Sequence, residues 1–133
     1  MHPVILALTA AAEGQRPDDT LFASDAEGWL LLALGGGWDD ELRLRHPVWG
    51  SQATRARAAA LLPYATAALA DIGATLSDAE RAALIELDDA PLPCNVEFLL
   101  CALGLADWDE DGCARNDDAR ERWANVLDAM EIA

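Results

Sequence analysis

The chain has 133 residues, of which 24 are acidic and nine are basic, and its formal net charge at neutral pH is −15. All nine basic residues are arginine, and 53% of the residues are apolar, including five tryptophans. Acidic disordered segments are poor in aromatic and aliphatic residues, so this composition excludes a disordered tail and predicts one compact acidic domain over residues 1–133. A field of this sign repels nucleic acid and anionic membranes, and it attracts basic protein surfaces or cations.

The negative charge is concentrated in the C-terminal part of the chain. Residues 76–133 carry fifteen acids and four arginines, a net charge of −11, whereas residues 51–75 have a net charge of +1. A one-sided field orients a partner as it approaches, so we expect the C-terminal part to face the partner. Adaptation to high salt also favours Asp and Glu over Lys, and it is an alternative source of the acidity.

The N-terminus and the cysteines predict a cytoplasmic protein. The apolar segment Val4–Leu8 is not preceded by a positive charge and is soon followed by Glu13, which is unlike a secretory signal peptide. The three cysteines, Cys94, Cys101 and Cys113, fit neither a disulfide framework nor a paired zinc motif. We therefore expect reduced thiols, with Cys94 and Cys101 in the core on one face of a helix.

The hydrophobic pattern is helical almost throughout, and it predicts an all-α fold, a compact bundle of about six to seven short helices. A first helix is predicted from Pro3 to about Ala12. Ser24 and Ser77 each begin the tetrapeptide Ser-Asp-Ala-Glu, which is a capping box that starts a helix. The helix that begins at Ser24 is predicted to end at the three consecutive glycines Gly35–Gly37.

An alanine-rich stretch from residue 51 to 73 lies in the middle of the chain. Ser51 is a plausible cap for its helix, and Pro63 is predicted to kink the helix or to divide it into two. The remaining predicted segments are a loop at residues 88–93, a helix at about 95–106 and a helix at about 117–131.

Residues 41–46 are the one segment whose polarity alternates with a period of two. The alternation is compatible with a short strand, or with a helical turn held by Glu41 and Arg45. Because a single strand would have no evident partner in an all-α chain, we favour helical or irregular structure here.

The sharpest local motif is Asp-Trp-Asp-Glu-Asp-Gly at residues 107–112. Oxygen ligands at alternate positions before a glycine resemble the first half of an EF-hand calcium loop, and helices are predicted on both sides. The second half departs from that pattern, because Asp118 replaces the bidentate Glu and Ala114 replaces an apolar β-branched residue. We favour a solvated acidic loop between helices and predict no metal site. In the alternative, a calcium-binding helix–loop–helix module at 107–118, the ligands are Asp107, Asp109, Asp111 and Asp118.

Residues that would indicate catalysis are few. The sequence contains no nucleophile elbow, phosphate-binding loop or dinucleotide fingerprint. Its two histidines are His2, near the chain end, and His46, before a proline. Gly35–Gly37 lack the strand, helix and lysine that would form a phosphate cradle. We therefore predict that the chain is not an enzyme and uses no cofactor.

The five tryptophans fall into two groups. Trp29 and Trp123 occur at helix-core spacing, so they are predicted to be structural. Trp38 and Trp108 occur in predicted loops beside carboxylates, a combination found at interface hot spots, although such residues also cover a core from outside. Trp49 is also in a predicted loop, and for it we favour the structural role.

These observations favour a non-enzymatic inhibitor or binding protein. Its acidic face would occupy a basic surface of a partner protein, one that belongs to a nucleic-acid-binding protein or a nuclease, by presenting carboxylates where phosphates would lie. No direct contact with nucleic acid or membrane is expected. The predicted partner-binding residues are Asp107, Trp108, Asp109, Glu110, Asp111, Asp117 and Asp118, together with Trp38, Asp39, Asp40 and Glu41.

In size and charge alone, the chain resembles phage-encoded inhibitors of bacterial defence, including anti-CRISPR and anti-restriction proteins. It is similar in the same respects to immunity proteins that neutralise nuclease toxins. The resemblance implies an inhibitory partner interaction, and no family motif accompanies it. Apart from the calcium module, the other alternative is an acidic secretion chaperone, which would be small, cytoplasmic and usually dimeric.

Overall fold

The computed structural model describes residues 2–18, 24–38, 40–41 and 44–132. Six helices lie in these residues: α1 (Pro3–Ala12), α2 (Ser24–Ala33), α3 (Gln52–Ala68), α4 (Asp78–Asp89), α5 (Cys94–Ala102) and α6 (Asp117–Ile132). Four short strands accompany them: β1 (Gly37–Trp38), β2 (Leu44–Arg45), β3 (Ala106–Asp109) and β4 (Gly112–Arg115). The predicted helical character is confirmed, but the fold is not strictly all-α, because β1 pairs with β2 and β3 pairs with β4, both antiparallel.

At the two predicted caps whose side chains are described, Ser51 and Ser77, a helix begins as predicted. The Ser51 hydroxyl accepts a hydrogen bond from the Thr54 N–H at 3.2 Å, which caps α3. Ser77 and Glu80 form a reciprocal capping box at the start of α4. For the box at Ser24, α2 begins at that residue, but its side chains lie outside the described part of the chain.

The preference for helical or irregular structure at residues 41–46 is wrong, because Leu44 and Arg45 form β2. Its partner comes from the residues that follow α2. Gly35 has a φ of +99°, and a Cβ on Gly36 would lie 2.5 Å from the Arg45 carbonyl oxygen and 2.8 Å from that of Leu31. The glycines therefore do more than end α2: they reverse the chain and allow the close backbone approach on which the β1–β2 pairing depends.

Three predicted helix boundaries also require correction. The prediction at Pro63 is a kink or a division into two helices, and the division is wrong because α3 continues through Pro63 to Ala68. Proline removes the hydrogen bond to the Ala59 carbonyl, and because Ala59 is exposed, water can solvate that carbonyl. Helix α4 extends to Asp89, so the predicted loop at 88–93 is shorter. Helix α5 ends at Ala102 and not at 106, because Gly104 adopts a φ of +74° and ends the helix.

The buried core contains residues from all six described helices, and Trp123 is its largest fully buried side chain. The Trp123 indole N–H donates a hydrogen bond of 3.0 Å to the carbonyl of Ala68, the last residue of α3, and the Arg122 guanidinium donates to the same oxygen. A carbonyl at a helix end has no partner inside its own helix, so α6 supplies the missing donors. Among the described helices, none combines the length and hydrophobicity required to cross a lipid bilayer.

We expect Trp123→Phe to lower the free energy of unfolding by about 1–3 kcal/mol, because it removes a buried donor to Ala68 and leaves a void. Trp49→Phe is the matched control. Trp49 is half-buried, and its Nε1 finds no acceptor in the described structure, so removing that N–H should cost less. Urea unfolding followed by far-UV circular dichroism measures both values. Equal losses for the two variants would contradict the assigned role of the hydrogen bond.

Candidate functional site

Residues 106–115 form a β-hairpin, so the predicted loop between helices is wrong for this segment. Its strands are joined by the two residues Glu110 and Asp111, and Gly112 follows with a φ of +111°. The Asp109 carboxylate accepts a hydrogen bond of 2.8 Å from the Asp111 N–H. An aspartate that accepts from the backbone two residues later, followed by a glycine with positive φ, is a turn signal, and it closes the hairpin.

The pleat of the hairpin separates its acidic residues from its tryptophan. Side chains alternate along a strand, and residues directly opposite each other lie on the same face. Trp108 and its cross-strand partner Cys113 therefore share the inner face, towards α5, whereas Asp107 and its partner Ala114 share the outer face. The hairpin thus presents carboxylates on one side and an indole on the other.

Trp108 belongs to a cluster of three aromatic rings. Its ring centroid lies 5.2 Å from that of Phe98 on α5 and 6.0 Å from that of Trp29 on α2, with interplanar angles of 32° and 40°. Trp29 and Phe98 stack on each other at 6.0 Å. Trp29 and Phe98 are half-buried, and Trp108 remains 43% exposed. Trp108 therefore covers the edge of the core and at the same time faces solvent.

On the outer face of the hairpin, a groove separates it from the start of α6. The groove has a volume of about 510 Å³, and it is lined by Asp107, Ala114, Arg115, Asn116, Asp117 and Asp118. The Asn116 side-chain oxygen accepts a hydrogen bond of 2.9 Å from the Asp118 N–H, which fixes the first turn of α6. The structure thus brings together three of the predicted partner-binding carboxylates.

A second groove, of about 460 Å³, lies along α6. It is lined by Asp71, Ile72, Asp118, Glu121, Arg122 and Asn125, so Asp118 belongs to both grooves. Together the two grooves are lined by five carboxylates, which we call the carboxylate track. Its members are Asp71, Asp107, Asp117, Asp118 and Glu121.

Two arginines line the same grooves, but their guanidinium groups are directed at backbone carbonyls. Arg115 donates to the carbonyl of Ala90, which caps the end of α4, and Arg122 donates to that of Ala68. The arginines therefore connect helix ends. In the described part of the chain, no track carboxylate accepts a hydrogen bond from a side chain or forms an ion pair with one.

The fold itself favours negative charge at two members of the track. Asp117 and Asp118 occupy the first turn of α6, where the free backbone N–H groups create a positive partial charge. This interaction offsets part of the repulsion between neighbouring carboxylates. The track is therefore compatible with the folded chain before any partner binds.

Two track residues, Asp71 and Glu121, and two rings of the aromatic cluster, Trp29 and Phe98, are absent from the residues predicted to bind a partner. Glu121 follows Asp117 by four residues, and this spacing places both on one helix face, so the sequence did contain a signal for it. Asp71 comes from the segment after α3, and Phe98 comes from α5. No local pattern connects either residue with the hairpin.

The second predicted acidic cluster lies in the connection between β1 and β2. Asp40 and Glu41 are exposed, and neither is among the residues that line the two grooves. Trp38 lies in β1, where its side chain is outside the described residues, and Asp39 is outside them altogether. The structure therefore does not bring this cluster into the carboxylate track.

The proposed EF-hand ligands are not arranged around one point. Asp109 accepts the N–H of the hairpin turn, Asp111 belongs to that turn, and Asp118 lies within α6. Within the described ranges, no group of three or more His, Cys, Asp or Glu side chains is placed to hold a metal ion. The hairpin thus replaces the open ligand loop that the resemblance to an EF-hand requires.

No known protein family, curated protein or solved structure matches this chain. The carboxylate track and the exposed face of Trp108 are therefore the observations from which a function can be argued. Of the two histidines, His2 has a structural role as a helix cap, since its imidazole accepts a hydrogen bond of 3.1 Å from the Val4 N–H.

The three thiols differ in their environment. Cys94 is exposed, so its predicted core position is wrong. It is the first residue of α5, directly after a loop that contains Pro91 and Pro93, and does not lie in the middle of a longer helix. Cys101 on α5 and Cys113 on β4 are both partly buried, and the Cys113 thiol donates a hydrogen bond of 4.0 Å to the Glu97 carbonyl. Burial is the main cause that raises the pKa of Cys101 to about 12, and burial also raises the pKa of Cys113.

We expect a disulfide reagent such as dithionitrobenzoate to modify Cys94 rapidly at pH 8 and Cys101 slowly. The thiolate is the nucleophile, so the rate at Cys101 should rise about tenfold per pH unit up to its raised pKa of about 12. The release of thionitrobenzoate gives the rates, and Cys94→Ser should remove the fast phase alone. A rate at Cys101 equal to that at Cys94 at pH 8 would contradict the burial of the thiol pair.

We expect calcium to bind weakly or without defined stoichiometry, because the hairpin does not converge carboxylates on one ion. Titration calorimetry at physiological ionic strength measures this directly. Magnesium at the same concentration is the control for general screening of the acidic surface. A micromolar, stoichiometric calcium site that is lost in Asp109→Ala would favour the helix–loop–helix alternative.

Proposed function

We propose that this chain is a non-enzymatic binding protein whose carboxylate track occupies a basic, nucleic-acid-binding surface of a partner protein. The observation that carries the proposal is that five carboxylates line two grooves, which share Asp118. Several separate anions distributed over a surface, and not only their total number, are what a nucleic-acid backbone presents to its binding proteins.

The arrangement suits several cationic side chains better than one small cation. In the part of the chain that the structure describes, the acidic side chains do not gather in threes around a point, and the track carboxylates have no internal ion pair or side-chain hydrogen bond. Each is therefore available to a separate arginine or lysine. Basic side chains that bind phosphates form rows along the grooves of nucleic-acid-binding proteins.

The charge outside the track supports the approach of the partner. Residues 76–133 carry a net charge of −11, which extends well beyond the grooves. Such a field accelerates association with a basic surface and contributes less to the lifetime of the complex. The acidic residues outside the track thus accelerate the approach of the partner, whereas the track carboxylates form ion pairs with it.

A partner held in this way cannot bind nucleic acid with the same surface, so the expected consequence is inhibition. This places the chain with the functional class that its size and charge resemble, inhibitors of bacterial defence and immunity proteins against nuclease toxins. The expected partner is a nucleic-acid-binding protein or nuclease, and a cytoplasmic location fits this role.

The proposal is tested by capture on the immobilised chain from a lysate of its natural host, with identification by mass spectrometry. We expect the captured protein to bind nucleic acid and to be released by added duplex DNA or RNA, because both ligands compete for one basic surface. A captured protein that nucleic acid does not displace would contradict the mimicry.

The purified partner then allows the surface to be mapped by surface plasmon resonance. Asp118→Asn combined with Glu121→Gln removes two track charges, and we expect about tenfold weaker binding at low salt. Glu13→Gln combined with Asp89→Asn removes two exposed charges that line neither groove and should leave the affinity nearly unchanged. Equal effects would show that only the net charge matters.

A third pair of substitutions tests the alternative acidic cluster. Asp40→Asn combined with Glu41→Gln removes two charges from the connection between β1 and β2. If this variant binds more weakly than the track variant, the contact surface is the N-terminal one and the assignment to the carboxylate track is wrong. Thermal melting of all three variants verifies that folding is retained.

A further inference from the structure

The packing of Trp108 restricts what its indole can do at an interface. One side of the ring is held against Phe98, at 5.2 Å between centroids, and against Trp29 at 6.0 Å. The Trp108 side chain is nevertheless 43% exposed. Packing against these two rings holds the indole in place, so its exposed part is a preorganised surface.

The electrostatic surroundings of this surface favour a cation. The face of an indole carries negative partial charge, and it is the strongest of the natural aromatic faces for binding cations. Trp108 stands next to Asp107, a member of the carboxylate track, and Asp109 follows it on the same strand. Because Asp107 and Trp108 lie on opposite faces of the hairpin, a basic partner has to extend around this two-stranded element to contact the track and the indole together.

We propose that the exposed face of Trp108 binds an arginine side chain of the partner by cation–π stacking. The inference rests on the proposed function, because the same basic partner surface supplies the arginine. Arginine is preferred to lysine on physical grounds: the guanidinium is planar, stacks on aromatic faces and is less strongly hydrated than an ammonium group. Trp108 therefore favours basic surfaces that present an arginine, whereas the carboxylate track attracts any basic surface.

The rings of Trp29 and Phe98, which pack against Trp108, contribute to the binding of an arginine. Trp29 comes from α2 and Phe98 from α5, and these two helices pack closely against each other. Their rings hold the indole in place before binding, so little side-chain entropy is lost when the arginine stacks. Phe98 and Trp29 are thus positioning residues, and Trp108 makes the contact.

The test uses acetylated, amidated hexa-arginine and hexa-lysine peptides as probes, since both carry the same charge. The chain is labelled with 5-fluorotryptophan, and fluorine NMR then follows the five tryptophan signals during titration at low salt. Trp108→Leu assigns the Trp108 signal. We expect hexa-arginine to bind about two- to fivefold more tightly than hexa-lysine and to shift the Trp108 signal selectively.

The variants separate stacking from simple hydrophobic contact. Trp108→Leu should abolish the preference for arginine and leave the affinity for hexa-lysine unchanged, whereas Trp108→Tyr should retain part of the preference because a ring remains. Equal weakening for both peptides in Trp108→Leu would overturn the proposal in favour of an apolar or structural role. Circular dichroism of each variant verifies the fold.

Failure of this inference is distinguishable from failure of the proposed function. If hexa-arginine binds in a salt-dependent manner without shifting the Trp108 signal, the track binds cations and the stacking proposal is wrong. If hexa-arginine shifts Trp108 but binds equally well to Asp118→Asn/Glu121→Gln, the stacking stands and the track assignment fails. If neither peptide binds, both proposals are contradicted.

Discussion

The carbonyl oxygen of Ala68 is the contact on which the acidic surface depends. It ends α3, and it accepts hydrogen bonds from two consecutive residues of α6, the guanidinium of Arg122 and the buried indole of Trp123. This joint fixes α6 beside the segment that follows α3, and Asp71 lies in that segment. Asp71 and residues of α6 line the second groove, and Asp118 lines the first groove as well.

The second constraint is self-repulsion in a chain with a net charge of −15. Several acids serve local structure: Glu80 completes a capping box, Asp109 closes the hairpin turn, and Glu86 accepts from the Tyr64 hydroxyl, which raises the pKa of Tyr64 to about 12. The track carboxylates have no comparable internal partner among the described residues. Their repulsion remains in the free protein, and in the proposed complex the basic surface of the partner relieves it.

The sequence predicts features that depend on neighbours along the chain, and it fails where distant residues meet. The caps at Ser51 and Ser77 involve contacts three residues apart, so their helices start where the pattern indicates. The pairing of β2 could not be predicted, because it depends on a close backbone approach at Gly36. Asp107, Asp117 and Asp118 were recognisable as an acidic cluster, but the hairpin that separates Asp107 from the indole beside it is a consequence of strand register.

The salt dependence of the binding rates tests the central claim most directly. In stopped-flow measurements with the captured partner, the association rate constant should fall at least about tenfold between about 50 and about 300 mM salt, while dissociation changes by less than about threefold. The Asp118→Asn/Glu121→Gln variant should show a shallower dependence than the wild-type chain. An association rate that salt does not change, or identical slopes for the two proteins, would contradict binding through the carboxylate track.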